Sequence, residues 1–243
     1  MFDDDGTIGR VLTRREILTL LAAAGAVPFA AGRAQSQALP GCIVIPAQTE
    51  GPYFVDAKLN RSDIRSDPST KTAVEGVPLA LTLKVFQLSG AAACAPLAGA
   101  IVDLWQCDAL GEYSDIADRK IGFDTRGERF LRGFQTTDAD GLVRFTTIYP
   151  GWYPGRTVHV HFKVRTEPGA ARAREFTSQL YFDDALTDKV HAAAPYSTKG
   201  QRRTRNANDG IYRNGGAQLM VKIMPDGTGY QGAFELALAQ ERS

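Results

Sequence analysis

From residue 79 onward, apolar and polar positions alternate in short runs. Leu79, Leu81, Leu83 and Val85 are interleaved with Ala80, Thr82, Lys84 and Phe86. That spacing predicts a half-buried strand, because successive strand side chains face opposite ways. Residues 100–107 repeat the pattern, with Val102 and Leu104 on one face. Residues 130–136 and 142–148 flank Thr137-Asp-Ala-Asp-Gly141, which predicts a hairpin with glycine at the position needing positive φ. Val158, Val160, Phe162 and Val164 alternate with His159, His161, Lys163 and Arg165, and residues 176–182 alternate again. Residues 219–224 and 230–238 predict a last hairpin around Pro225-Asp-Gly-Thr-Gly229. Residues 183–213 show no period and predict a long excursion with a helical turn near 185–191. No amphipathic helix is written after residue 35, and no internal repeat. Short strands separated by turn signals predict an all-β fold, an antiparallel β-sandwich with long connecting loops.

The first residues follow another rule. Thr13-Arg-Arg-Glu-Ile-Leu18 leads into an apolar run, residues 18–31, that ends at Gly32-Arg-Ala34. The run is short for a membrane span of about 20 residues. Paired arginines, a modest apolar segment and a small-residue end predict a twin-arginine export signal over residues 1–34, followed by one domain over 35–243. The protein is then expected in the periplasm or outside the cell, with no stable membrane insertion after cleavage. A net charge of +1 gives no bias toward nucleic acid or anionic membranes. In an oxidising compartment two of the three cysteines are expected to pair. Cys42 and Cys94 lie in Pro/Ala/Gly-rich segments and are the expected pair; Cys107, after Trp105 on a strand, is expected buried and free.

Both histidines of the 158–165 run fall on one face, about 6–7 Å apart along the strand, close enough to share one ion. Tyr153 and Arg156 sit just upstream on a Pro/Gly turn. His-x-His alone leaves zinc, copper and iron open. Nearby tyrosines favour a hard trivalent ion such as Fe(III), which prefers anionic oxygen donors. His191, in the long loop, is expected exposed rather than a ligand, and the basic run from Lys199 to Arg205 is expected to be a solvated loop.

Four segments carry a family likeness. They are Gln48-Thr-Glu-Gly-Pro-Tyr-Phe54, Asp103-Leu-Trp-Gln-Cys-Asp-Ala-Leu-Gly-Glu-Tyr113, the stretch from Tyr149 to Phe162, and Ser178-Gln-Leu-Tyr-Phe182. In that order the chain resembles the intradiol ring-cleaving catechol dioxygenases, in their exported single-domain branch. The resemblance implies Fe(III) held by Tyr113, Tyr153, His159 and His161, with Tyr153 leaving when substrate binds. It implies Arg156 and Gln179 as catalytic residues, with Tyr53 and Trp105 lining the pocket. The implied partners are a small aromatic diol and O2, and the implied product is a cis,cis-muconate. Tyr153 and Arg156 are closer together than in larger members, which implies a shallower, more open pocket. Two other readings use the same residues: a zinc or copper enzyme built on His159 and His161, and a non-catalytic β-sandwich binding module.

Overall fold

The structure is a computed structural model and describes residues 44–89, 93–166 and 175–239. The expected export signal, its cleavage point and Cys42 lie outside those residues. The described strands, in chain order, are β1 (Pro78–Ser89), β2 (Ala93–Pro96), β3 (Ile101–Trp105), β4 (Ala117–Asp118) and β5 (Phe123–Asp124). Then come β6 (Arg132–Thr136), β7 (Leu142–Ile148), β8 (His159–Arg165) and β9 (Glu175–Tyr181). The helix α1 (Asp184–His191) and three short 3₁₀ turns precede β10 (Lys222–Asp226) and β11 (Gly229–Ala239).

Among the described residues the strands form two larger sheets and the two-stranded β4–β5 ribbon. In the five-stranded sheet, β11 lies along one edge of β1, β10 pairs outside β11, and the other edge of β1 takes β7 and then β2. The four-stranded sheet runs β6-β3-β8-β9. All of its ladders are antiparallel. The pairing of β1 with β11 is parallel, so the expectation of purely antiparallel sheets fails there. The reason is topological: β1 comes early and β11 last, and a long connection through the other sheet frees their relative direction.

Alternation places the core. Leu79, Leu81, Leu83 and Val85 of β1 and Phe145 of β7 belong to one buried cluster with Val102 and Leu104 of β3 and Val160, Phe162 and Val164 of β8. Fully burying such a side chain contributes about 1.5–3 kcal/mol. The expected final hairpin is β10–β11. The hairpin expected over 130–148 is not one, because β6 pairs with β3 and β7 pairs with β1, in different sheets. The turn between them crosses from sheet to sheet. Thr137 Oγ1 donates to Leu97 O (2.6 Å) and accepts from Ala100 N (2.9 Å). Gly141, at φ +74, accepts from Val85 N through its carbonyl oxygen at 2.8 Å, and a Cβ there would sit 2.3 Å from Val85 O.

Alternation marks one face of β8 as apolar and the other as polar, and six of its seven residues are buried. Its second face meets Gly51 of the Gln48–Phe54 segment, Tyr113 and Tyr153. Cys94 is disulfide-bonded and Cys107 is free and buried, as expected.

Candidate active site

The covered face of β8 carries His159 and His161. Their Nε2 atoms are 3.0 Å apart, and the Tyr153 hydroxyl is 3.1 Å from His159 Nε2. Tyr113 arrives from the loop after β3, its ring centroid 5.7 Å from that of Tyr153 and 6.1 Å from that of His161. Tyr113 is 0% exposed and Tyr153 7%. The four side chains that the sequence singled out therefore converge.

Local chemistry explains how each is held. Asp108 Oδ1 accepts the N–H groups of Leu110 and Glu112, both at 2.9 Å, folding the loop that ends at Tyr113. Gly111, at φ +81, lies so close to Trp152 that a Cβ would fall 2.2 Å from its carbonyl oxygen. That approach sets the Tyr113 loop against the Tyr153 turn. Arg132 fixes the other side. It is buried, donates to Ser114 Oγ at 2.7 Å and to the Ser114 carbonyl, and reaches Tyr53 O at 3.4 Å. Burial lowers its pKa to about 10.

His159 Nδ1 meets Thr157 O at 2.7 Å. As a donor there, it leaves the Nε2 lone pair facing the cluster. His161 lies flat on Trp105, centroids 4.9 Å apart and planes 5° apart, and its Nδ1 has no hydrogen-bond partner. Burial, and the Arg156 charge after it, hold His159 well below the usual histidine range; burial, His159 and Arg156 do the same for His161. Burial likewise pushes the Tyr113 and Tyr153 phenols up. Tyr113 Oη is buried without a hydrogen-bond partner. A buried polar atom left unmade costs free energy, so this oxygen, two imidazole nitrogens and the Tyr153 oxygen have the chemistry of a metal donor set. Two nitrogens and two phenol oxygens suit Fe(III). Among the described residues no three His, Cys, Asp or Glu side chains are grouped for a metal.

Arg156 lies beside the donors. Its Nε donates to Asp209 Oδ2 at 2.9 Å and its NH2 to Gln179 Oε1 at 2.5 Å, while NH1 is 3.5 Å from His159 Nε2. Gln179 in turn donates from Nε2 to Thr49 O at 2.8 Å. Tyr53 stacks on Tyr113 at 4.5 Å and donates to Asp118 Oδ2 at 2.6 Å. Tyr53 and Trp105, expected in the pocket lining, thus each back one of the four donors.

Three residues had no role assigned from the sequence. Tyr181 places its hydroxyl between Gln48 Oε1 (2.7 Å) and Gln179 Oε1 (2.9 Å). Its position two residues after Gln179 on one strand was the available signal. Asp209, and Asn206 beside it, had none. His191 is neither exposed nor near the donors: it stacks on Tyr196 at 4.9 Å and meets Pro150 O at 3.0 Å through Nε2. The basic run is not simply solvated. Arg202 pairs with Asp184 (2.6 Å) and Asp188 (2.9 Å), and Arg205 pairs with Asp188 (2.8 Å).

The chain resembles known proteins in both sequence and fold. A family model described as "Dioxygenase" matches residues 49–214. A solved structure titled intradiol ring-cleavage dioxygenase, from Tetranychus urticae, is 32% identical with a TM-score of 0.69, covering 83% of this chain and 98% of that one. Catechol 1,2-dioxygenase 2 of Acinetobacter lwoffii is 29% identical over 157 residues, 57% of this chain and 51% of that protein. The beta chain of protocatechuate 3,4-dioxygenase from Burkholderia cepacia is 32% identical over 125 residues, 47% of this chain and 51% of that one. The chain spans about half the length of the curated relatives it matches. The chain belongs to the intradiol ring-cleavage dioxygenase family.

Proposed function

We propose that this protein is a β-sandwich enzyme that uses Fe(III), held by Tyr113, Tyr153, His159 and His161, to cleave a catechol-type ring. The bond between the two hydroxylated carbons breaks and each of those carbons gains one oxygen atom of O2, giving a cis,cis-muconate; diol plus O2 equals product, so no outside reductant is needed. The observation that carries this is the convergence of the four donors around a buried, unpartnered Tyr113 oxygen.

Bound there, Fe(III) supplies Lewis acidity that favours the deprotonated diol and draws electron density from its ring. The chain's residues do the rest. Tyr153, more exposed than Tyr113, offers its phenolic oxygen as the acceptor for a substrate hydroxyl proton. Arg156 directs NH1 at the donor cluster and stabilises negative charge developing on the substrate in a water-poor site. Gln179 holds the far side of that guanidinium. Tyr53 borders the pocket, and Trp105 fixes the plane of His161. Pro154 and Gly155, between Tyr153 and Arg156, are exposed, which supports a shallow pocket open to several diols.

The test is optical and chemical together. Native protein should contain iron, absorb broadly in the visible from tyrosinate-to-iron charge transfer, and consume O2 with catechols to give muconates. Chelation should remove colour and oxygen uptake, and added iron should restore both. A colourless protein carrying zinc or copper defeats the reading.

The export reading is a separate part of the proposal, resting on the paired arginines and apolar run of residues 13–34. Protein recovered outside the cytoplasm should begin near residue 35 by N-terminal sequencing. An intact chain confined to the cytoplasm overturns it.

A further inference from the structure

The loop from 183 to 213 has no regular period, yet it delivers a fully buried carboxylate to the site. Asp209 has 0% exposure. Its Oδ1 accepts from Ile211 N (2.7 Å) and Tyr212 N (3.0 Å). Its Oδ2 accepts from Thr157 N (2.7 Å) and Arg156 Nε (2.9 Å). Four donors occupy both oxygens, so the carboxylate is locked in orientation. Neighbouring Asn206 ties the same loop to the same turn: its Oδ1 accepts from Thr157 Oγ1 at 2.7 Å, and its Nδ2 donates to Phe182 O at 2.9 Å.

A guanidinium is a rigid plane with three nitrogens, so fixing two of them aims the third. Arg156 is fixed at Nε by Asp209 and at NH2 by Gln179, and only NH1 faces the donor cluster. Gln179 is itself held by Thr49 O and Tyr181. We infer that Asp209 is a positioning residue that aims Arg156 NH1 at the bound diol, and that the 183–213 loop exists in part to supply it. The inference rests on the reading of the site given above. The plain alternative is that Asp209 only closes the turn at 209–212 and pins Thr157.

A double-mutant cycle separates the two. Asp209→Asn keeps size but puts an amide where four N–H groups need acceptors. In the iron-loaded protein it should lower kcat/KM for catechol 30- to 100-fold and weaken catechol binding measured without oxygen at least 10-fold, with iron content and visible band retained. In an Arg156→Ala background the same substitution should cost less than 3-fold in either measurement. An equal loss in both backgrounds, or no loss when Arg156 is present, overturns the inference. If Asp209→Asn does not fold, Asp209→Ser, which keeps an acceptor for the turn, runs the same cycle. A wild type without iron or oxygen uptake defeats the functional reading instead. Crystal structures of wild type and Asp209→Asn then decide the positioning claim alone, and an unmoved Arg156 guanidinium overturns it.

Discussion

Single residues set the chemistry through what they lack as much as through what they touch. Tyr113 Oη is buried without a partner, while Tyr153 Oη is within reach of His159 Nε2. Replacing Tyr153 by Phe removes one proposed metal donor and the proposed acceptor for the substrate proton. Ring cleavage should fall at least ~100-fold, the range expected for losing a general base, as read by oxygen uptake at matched protein. Arg132 makes a different case. It is a buried cation whose contacts are a serine side chain and backbone carbonyls next to Tyr113 and at Tyr53. Arg132→Met leaves those acceptors unmade and should cost about 2–4 kcal/mol in urea unfolding, since hydrogen bonds to charged groups are the stronger ones. His159 and His161 were legible because apolar alternation along β8 fixes the face they share; Tyr113, Tyr153, Arg156 and Gln179 were singled out through the motifs that carry the family resemblance. Arg132 was not: a charge at a strand start reads as solvated, and only the tertiary fold shows that the 53–55 and 113–114 segments close over it.

At the scale of elements, the revealing place is the turn between β6 and β7. Two alternating runs around an Asp-Gly sequence look like a hairpin, and Asp138 does fold that turn, accepting from the N–H groups of Asp140 and Leu142. The alternation says only which face of each strand is apolar. It does not say which strand lies alongside, and here the competing partners β3 and β1 win. Gly141 marks the difference, because its positive φ and its approach to Val85 O serve the neighbouring β1. Gly141→Ala should therefore destabilise the fold by about 1–3 kcal/mol, the range for a strained backbone position, measured as a lower urea midpoint with an unchanged slope. The two-sided burial of β8 was also hidden in the sequence, since the segments that cover its histidine face are irregular. Phe162, on its opposite face, is fully buried in the shared core. Phe162→Ala should cost about 3–5 kcal/mol, and a loss under 1 kcal/mol would contradict the packing described.

Across the whole molecule, all three histidines are buried or half-buried, and burial lowers the pKa of each below the ordinary value. The consequence for stability has a definite sign. A histidine depressed in the folded state binds its proton more readily when unfolded, so its contribution is present above about pH 6.5 and is lost as pH falls below that. The slope reaches about 1.4 kcal/mol per pH unit for each histidine. Asp103 and Asp108 work the other way, because burial raises their pKa values and acid then favours the folded form. A total pH profile therefore mixes signs, and the informative measurement is a difference. His191 is suited to it, standing apart from the proposed metal donors, with Nε2 donating to Pro150 O and a buried Nδ1 without a partner. A proton on that Nδ1 would put a second donor where no acceptor waits, near the Arg202 charge that also lowers its pKa. Gln at 191 can still donate to Pro150 O but cannot titrate. Between pH 7.5 and 5 the unfolding free energy of wild type should fall relative to His191→Gln, the gap narrowing by up to about 1.4 kcal/mol per unit below 6.5. Parallel profiles for the two proteins would mean that His191 takes up its proton as readily in the fold as in the unfolded chain. That result would contradict its stacked, neutral placement against Tyr196.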